Sequence, residues 1–388
     1  MFIAGEPSGD LLAAELVREL AGELAARGQP APRFFGAGGP EMAAAGVDLS
    51  LDLTHFAIIG LADVLRNLWR LRRILERLLD LACERRPDVV VCVDYGGFNR
   101  RFAGALRRRL PADRQPRLVQ YVSPQVWASR PGRARTLARD LDLLISILPF
   151  EKAWYAERFP GLRVEFVGHP IIDRHVAAAG EQPLPEAQPA RIVLLPGSRR
   201  SEVQRHWPLM IEAARLIKPA TPASWVAVFP NDAMRAVALR ADPASDLGLH
   251  TSIGNLGTHL AGATLALAAT GTVTLECALW GVPTIAVYCA SWSTAFIVRR
   301  IIRVRHLAMP NLLADATVMP ELLQGGATRE TIAGEANRLL RDPRERERTR
   351  EQLREVIHRL GPPGAARRAA QAVLSAATPG RWSARASA

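Results

Sequence analysis

The strongest constraint on this chain is a rhythm that runs twice through it: short β-rich apolar runs alternating with helix-length patterns. In the first half, strands are expected at Arg33–Gly36, Asp88–Asp94, Arg117–Val122, Asp142–Leu148 and Arg163–Val167. Helical patterns such as Asp10–Ala26 and Phe98–Leu110 lie between them. That alternation predicts βαβ units and a parallel sheet. The first strand is short, because only Met1–Ala4 precede the Gly5-Glu6 turn, against a usual ~5–6 residues.

From Ala177 to Ala190 the chain becomes rich in Ala, Pro and Gln, with Pro183, Pro185 and Pro189, which predicts a linker. A second βα series follows at Arg191–Leu195, Ser224–Phe229, Ala263–Leu267 and Pro283–Val287. Thr328 to about Ala377 reads as helices, and Thr378–Ala388 as a frayed tail. A chain of 388 residues exceeds one ordinary core. The expectation is an α/β protein with two Rossmann-like domains facing a cleft. The first spans 1–176, a linker 177–190, the second 191–360, and a terminal helix and tail 361–388. In open parallel sheets the ligand sits beyond the carboxyl ends of the strands. The chemistry is therefore expected on the loops that follow them.

Composition narrows the function. No apolar run approaches the ~18 residues of a spanning helix. Met1-Phe2-Ile3-Ala4-Gly5-Glu6 has no basic region leading into an apolar one, so no signal peptide is expected. Cys83, Cys92, Cys277 and Cys289 form no C-x-x-C pair and read as small buried hydrophobes in a reducing compartment. The 8 histidines form no H-x-x-x-H or H-E-x-x-H cluster, and no metal site is expected.

The net charge is +12 and almost all of the positive charge is arginine. Between Asn99 and Arg139 there are eleven arginines against one acid, Asp113, and between Cys277 and Ala314 four arginines and no acid. Such fields favour an anionic partner: phosphates, acidic lipid headgroups or nucleic acid. No helix-turn-helix, zinc finger or RNP-like aromatic pattern supports nucleic acid.

Four segments carry candidate chemistry. Gly5-Glu6-Pro7-Ser8-Gly9-Asp10 follows the first strand and opens a helix. Glycines allow a tight turn and close backbone approach, and the helix start offers N–H groups to an anion. A plain helix cap from Ser8 or Asp10 is the structural alternative. Leu194-Leu195-Pro196-Gly197-Ser198-Arg199-Arg200-Ser201-Glu202-Val203 places an arginine beside Gly-Ser at a helix start, suited to bidentate contact with a diphosphate. A surface arginine on a capped helix is the alternative there.

Ala269-Thr270-Gly271-Thr272-Val273-Thr274-Leu275-Glu276 leads a strand into a helix. The amides of Gly271, Thr272 and Val273 can bind nucleotide phosphates. One turn on, Glu276 can accept from both ribose hydroxyls, unless it merely answers the helix dipole. Val93-Asp94-Tyr95-Gly96-Gly97-Phe98-Asn99 ends an apolar strand on an acid. Asp94 can take a proton from an attacking hydroxyl; an Asx turn is the alternative.

Together, and in this order, these segments resemble the lipid-A-disaccharide synthase family. Gly5-Glu6-Pro7-Ser8-Gly9-Asp10 is similar to the family's Gly-Glu-Ala-Ser-Gly-Asp, and Gly36-Ala37-Gly38-Gly39-Pro40 to its Gly-x-Gly-Gly-Pro. Tyr121-Val122-Ser123-Pro124-Gln125-Val126-Trp127-Ala128 is similar to Tyr-Val-Ser-Pro-x-x-Trp-Ala. Leu148-Pro149-Phe150-Glu151-Lys152, Phe166-Val167-Gly168-His169-Pro170, Leu195-Pro196-Gly197-Ser198-Arg199, Gly271-Thr272-x-Thr274-Leu275-Glu276 and Pro310-Asn311-Leu312-Leu313 complete the set. The resemblance runs from residue 1 to about 375.

The resemblance implies the two-domain GT-B fold and an inverting transfer. UDP-2,3-diacylglucosamine would give its sugar to the 6-hydroxyl of 2,3-diacylglucosamine 1-phosphate, leaving a β-1,6 disaccharide and UDP. Asp94 is the first candidate base, with Glu6 and Asp10 as the other acids. Arg199 and the Gly271–Val273 amides would stabilise departing UDP, with Gly197, Ser198, Glu276 and Asn311 completing its site. Glu6, Ser8 and Asp10 would face the acceptor or donor sugar, with Gly9 also binding substrate. No cofactor and no metal are implied. Three departures stand out: Pro7 for the family's alanine, Gly96 for its proline, and the clipped first strand. Other UDP-sugar enzymes of this fold, such as a 2-epimerase or a soluble sugar transferase, are the nearest alternatives. A non-catalytic UDP-sugar or lipid binder is a further one.

Acylated substrates imply a cytoplasmic enzyme, peripheral on the inner membrane. Leu61–Ala82 reads as one helix with a wide apolar arc that includes Leu68, Trp69, Leu71 and Ile74. A core helix of the first domain explains part of the same stripe. Trp292–Leu307 is a second candidate, with Arg299, Arg300 and Arg303 on a basic face suited to anionic headgroups or the acceptor's phosphate, unless it is simply a solvated face. A homodimer is left open.

Overall fold

The computed structural model describes residues 1–54, 61–179, 189–219, 222–290 and 304–377; the side chains of 61–68, 177–179 and 245 also lie outside the description. The chain divides into two compact units, Met1–Pro170 with Pro362–Ala388, and Ile171–Gly361.

The first unit is built on a parallel sheet of seven strands: β1 (Phe2–Ala4), β2 (Phe35–Gly38), β3 (Asp48–Asp52), β4 (Val89–Val93), β5 (Arg117–Tyr121), β6 (Leu143–Ser146) and β7 (Val164–Phe166). Their order is β3-β2-β1-β4-β5-β6-β7. The continuous apolar runs follow from burial on both faces. Ile3, Val90, Cys92, Leu118 and Leu144 enter one core. Their neighbours Phe2, Ala4, Val91, Val93, Val119 and Ile145 enter the other.

The second unit carries six parallel strands: β8 (Ala190–Leu195), β9 (Ala223–Phe229), β10 (His250–Ile253), β11 (Leu265–Ala269), β12 (Thr284–Tyr288) and β13 (Glu321–Leu323). Their order is β10-β9-β8-β11-β12-β13. In both sheets the winding reverses beside the first strand, between β1 and β4 and between β8 and β11. Such reversals open a crevice at the strands' carboxyl ends.

Three strands lie where the sequence signalled none. β3, β10 and β13 are edge strands, short and only partly buried. An edge strand has no need of an unbroken apolar run, so its signal is weak. Unit boundaries also differ from the expected 176 and 361. The helix Ile171–Ala179 belongs with the second unit, while Pro362 onward rejoins the first. There the helix Ala365–Ala376 packs on the helix Pro7–Ala26. Arg367 and Gln371 donate to Glu23, at 2.9 and 3.0 Å. Residues 180–188 of the expected linker lie outside the description.

The helix Leu61–Arg85 separates the membrane expectation residue by residue. Ile74 sits in the first unit's core, 7% exposed, and Leu71 packs against that core. For Ile74 the core reading replaces the membrane one, because a side chain already enclosed has no surface left for a bilayer. Trp69 is 78% exposed. The Leu68 side chain lies outside the description, as do Arg299, Arg300 and Arg303. Among the described residues, no helix is long and apolar enough to cross a membrane.

Candidate functional site

In the first unit the chemistry gathers where β1, β4 and β5 end side by side. The helix Pro7–Ala26 starts directly after β1, with Glu6 as its N-cap and Pro7 in the first turn. There proline's missing N–H costs nothing, since the first helical N–H groups have no intrahelical partner. Gly9 is buried, with a Cβ built on it only 3.4 Å from the Asp94 Cβ. That closeness brings Ser8 to Asp94. Burial raises the Asp94 pKa above its ordinary value, and the nearby Tyr95 amide and Ser8 hydroxyl, which favour the charged carboxylate, oppose it. A carboxylate that is partly stripped of water is a stronger base.

The backbone around Asp94 is strained. Asp94 (φ 48°), Tyr95 (φ 43°) and Val122 (φ 67°) all occupy the left-handed region. For Tyr and a β-branched Val this is unfavourable, and such strain concentrates at functional sites. Two buried amides hold it. Asn99 Nδ2 donates to the Asp94 carbonyl at 2.9 Å. Gln120 Nε2 reaches the carbonyls of Asp94 (3.0 Å) and Val122 (3.2 Å). Gln120 was not singled out from sequence. Its signal was a lone polar residue inside a strand that is otherwise apolar from Leu118 to Tyr121. Gly96, where the resemblance expects proline, faces Pro124; a Cβ there would lie 2.8 Å from the Pro124 Cβ. The loop is thus filled from the other side.

Asp10 has a different task from the one expected. Its Oδ1 accepts from the amides of Gly39 (2.8 Å) and Met42 (3.2 Å), and its Oδ2 from Glu41 (2.9 Å). Both oxygens are committed to the start of the helix Pro40–Ala44, and the residue is 1% exposed. It joins the Gly38-Gly39-Pro40 turn to the first helix. Glu6 is exposed and lies near enough to Tyr95 to raise the phenol's pKa further, after burial.

Behind the β5 and β6 ends lies a buried acid that sequence quoted without a role. Glu151 is 0% exposed. Trp127 Nε1 donates to its Oε1 at 2.8 Å, and Ser146 Oγ lies 2.7 Å from its Oε2. The same Ser146 oxygen is 2.8 Å from the Leu148 carbonyl. One hydroxyl proton cannot serve two acceptors fully, so a protonated Glu151 completes the network. Burial, acting against these hydrogen bonds, pushes the Glu151 pKa up to about 7.

In the second unit, β8 and β11 are paired, and their following loops meet. A Cβ on Gly197 would lie 3.6 Å from that of Ala269. Gly197 and Gly271 have φ of 123° and 138°, conformations only glycine adopts readily. Gly271 caps the helix Thr272–Leu279, whose first amides, Thr272 and Val273, have no partner within the helix. Thr274 Oγ1 donates to the Gly271 carbonyl at 2.7 Å and accepts from the Met309 amide at 3.3 Å. Glu276 is half-buried; burial raises its pKa and Arg174 lowers it.

Arg199 caps the helix Arg200–Ile217 and is 80% exposed at its side chain. Glu202 holds it, with Arg199 Nη1 3.1 Å from Glu202 Oε1. Glu202 Oε2 also accepts the amides of Ser198 and Arg199, at 3.2 and 3.3 Å. The Ser198 and Arg199 amides are therefore occupied, and the guanidinium is what this loop offers. His206 braces it from beneath: Nδ1 lies 2.9 Å from the Pro196 carbonyl, and Nε2 accepts the Cys289 amide at 2.9 Å.

Asn311 does not present its side chain to a ligand. It is 0% exposed; Nδ2 donates to the Met319 carbonyl (2.7 Å) and Glu321 (2.8 Å), while Oδ1 accepts from Val318 and Met319 (2.8 Å each). All of its hydrogen-bonding capacity is used. Asn311 ties the 307–321 segment together instead. The cysteines are free, and burial pushes the Cys92 and Cys277 thiols up to about 12. Among the described residues, no group of three His, Cys, Asp or Glu could hold a metal ion.

Comparison with known proteins follows this geometry. The lipid-A-disaccharide synthetase family model matches residues 1–376. Lipid-A-disaccharide synthase of Myxococcus xanthus is 37% identical over 388 residues, covering 98% of both chains. That of Syntrophus aciditrophicus is 36% identical over 386 residues, covering 97% of both. Among solved structures, the S. aureus MnaA–UDP co-structure aligns with a TM-score of 0.63 at 13% identity, covering 95% of this chain and 94% of that one. CalG4, the calicheamicin glycosyltransferase, aligns with a TM-score of 0.54 at 19% identity, covering 97% and 96%. These structural likenesses establish the fold, GT-B.

Proposed function

The chain belongs to the lipid-A-disaccharide synthetase family, a family of hexosyltransferases, and from that premise we propose the reaction and its residues. The chain transfers the sugar of UDP-2,3-diacylglucosamine to the 6-hydroxyl of 2,3-diacylglucosamine 1-phosphate. Inversion needs one displacement. Asp94 takes the proton from the attacking hydroxyl, and Ser8 holds its carboxylate. Departing UDP is met by the Arg199 guanidinium and by the Gly271, Thr272 and Val273 amides. Glu276 accepts from the ribose. Asp10, Gln120 and Asn311 are positioning residues, each acting through the loop it holds.

The observation that carries this reading is the Asp94–Ser8 pair on strained backbone at the sheet's switch point. A desolvated carboxylate with a raised pKa is what a hydroxyl nucleophile requires. A UDP-sugar 2-epimerase would share the fold, but the family match favours transfer. The enzyme works from the cytoplasmic face of the inner membrane as a peripheral protein. Exposed Trp69 supports that placement, since an aromatic on a basic helix suits an anionic interface.

The test is mass spectrometry of products from purified protein given both acylated sugars. A disaccharide 1-phosphate with UDP is expected; UDP without disaccharide would reject the reading. Titration with UDP in chelator-treated buffer is expected to show binding, and none would reject the arginine-and-amide site.

A further inference from the structure

The helix Gly96–Arg109 begins two residues after Asp94, and its arginines fall into two groups. Towards its end two of them are paired. Arg107 pairs with Asp142, and Arg109 with Glu76 at 3.1 Å and with Asp80. Near its start, among the described residues, Arg100 has only Thr136 Oγ1, at 3.4 Å.

Across from Arg100 stand Arg130 and Arg133, at the turn Pro131–Arg133 beyond the β5 loop. The three arginines line a concavity of about 170 Å³ with Gly96, Gly97, Gln125 and Ser129. No lining residue is acidic. Among the described residues, no carboxylate pairs with Arg100, Arg130 or Arg133. Burial, then Arg130, Arg100 and Arg101 in turn, hold the Arg133 pKa below the usual arginine range. Like charges brought together around an open space, beside helices that elsewhere pair their arginines, make a site that an anion would relieve.

The chemistry specifies the anion. Guanidinium forks match the oxygens of a phosphate, and three of them suit a dianion better than a carboxylate. The volume suits one phosphate group rather than a nucleotide. We propose that this arginine-lined concavity seats the phosphate monoester of the acceptor sugar and thereby turns the acceptor's hydroxyl towards Asp94. The proposal rests on the transferase reading above and adds to it a separate anion site in the first unit, apart from the Arg199 loop of the second. An acidic lipid headgroup offers the same phosphate chemistry. The position of Gly96 and Gly97, immediately after Asp94 and Tyr95, favours the reacting substrate.

The experiment uses the full chain in neutral detergent with two acceptors, diacylglucosamine 1-phosphate and phosphate-free diacylglucosamine. Arg130→Gln with Arg133→Gln is the first variant, since both residues are exposed and folding is expected to survive. Arg100→Gln is added next. The KM for the phosphorylated acceptor should rise roughly ten- to hundredfold, as for loss of charge-assisted hydrogen bonds. The kcat should move far less, and the KM for the UDP donor should hold. Preference for the phosphorylated acceptor should shrink towards one, and Arg133→Lys should keep part of it. Equal losses with both acceptors, or no change with either, would overturn the proposal. If the variants instead lose only their binding to phosphatidylglycerol vesicles and keep their acceptor preference, the patch is a headgroup surface and the proposal is wrong. Wild-type protein that transfers to neither acceptor would defeat the transferase reading. Titration with glucosamine 1-phosphate against glucosamine would then judge the patch alone, equal binding overturning it.

Discussion

The loops that leave β1 and β4 put side chains forward, whereas the loop that leaves β11 puts backbone forward and the one that leaves β8 adds a guanidinium. In the first unit, non-glycine residues are forced into the left-handed region, and a carboxylate stands at the tip: Asp94, held by Ser8. In the second, Gly197 and Gly271 take the unusual conformations, leaving amides and a guanidinium. One strand order serves both, with its reversal beside the first strand. The scaffold sets where chemistry sits, and the loop residue sets its sign. In the first unit the strain falls on Asp94, Tyr95 and Val122, as the proposed base, which needs an aimed side chain, would require. A diphosphate needs several donors, which backbone supplies at no side-chain entropy.

The sharpest way to break this contrast is Asp94→Asn. It should lower kcat by about 10²–10⁴ while UDP affinity stays, as expected for loss of a general base. Loss of UDP binding instead would mean that the two loops do not divide the labour. Next comes Asn311→Ala, which leaves several buried groups unpaired. It should cost roughly 2–4 kcal/mol in denaturant unfolding. A change in UDP affinity with stability intact would return Asn311 to the ligand.

The third test concerns Glu151, whose pKa is raised when folded. A raised pKa means that the folded state binds the proton more tightly. Its stabilisation is therefore complete at about pH 4.5 and below, and is lost as pH rises towards and through about 7. Glu151→Gln should flatten that slope, with a difference of roughly 2–3 kcal/mol between pH 5 and pH 8 in paired melts. Parallel curves would show that Glu151 does not titrate there. The smallest effect is expected from Arg199→Ala, a rise in UDP Kd of roughly tenfold, because the side chain is exposed and the amides remain. A loss much larger than that would make the guanidinium, rather than the backbone, the principal diphosphate donor.

Much of the site was legible because its elements are local. Strand, turn and helix start adjoin in Val93–Asn99 and in Ala269–Glu276, and each segment's position at a strand end could be read directly. What sequence did not show were partners that come from elsewhere in the chain. The Asp10 carboxylate meets the amides of Gly39, Glu41 and Met42. The Asn311 side chain meets Val318, Met319 and Glu321. Glu202 was quoted with its motif but given no role, although it lies only one helical turn from Arg199.

By itself the sequence determined the α/β class, the two series of strands and the order of the candidate loops, because alternation and turn chemistry act over a few residues. Only the tertiary structure decided which polar groups are spent inside the protein and which remain for a ligand. It also decided that the chain returns from Gly361 to finish the first unit, where Arg367 and Gln371 meet Glu23. Both are matters of long-range pairing, and a hydrogen bond between residues hundreds of positions apart leaves no periodicity in the sequence that makes it.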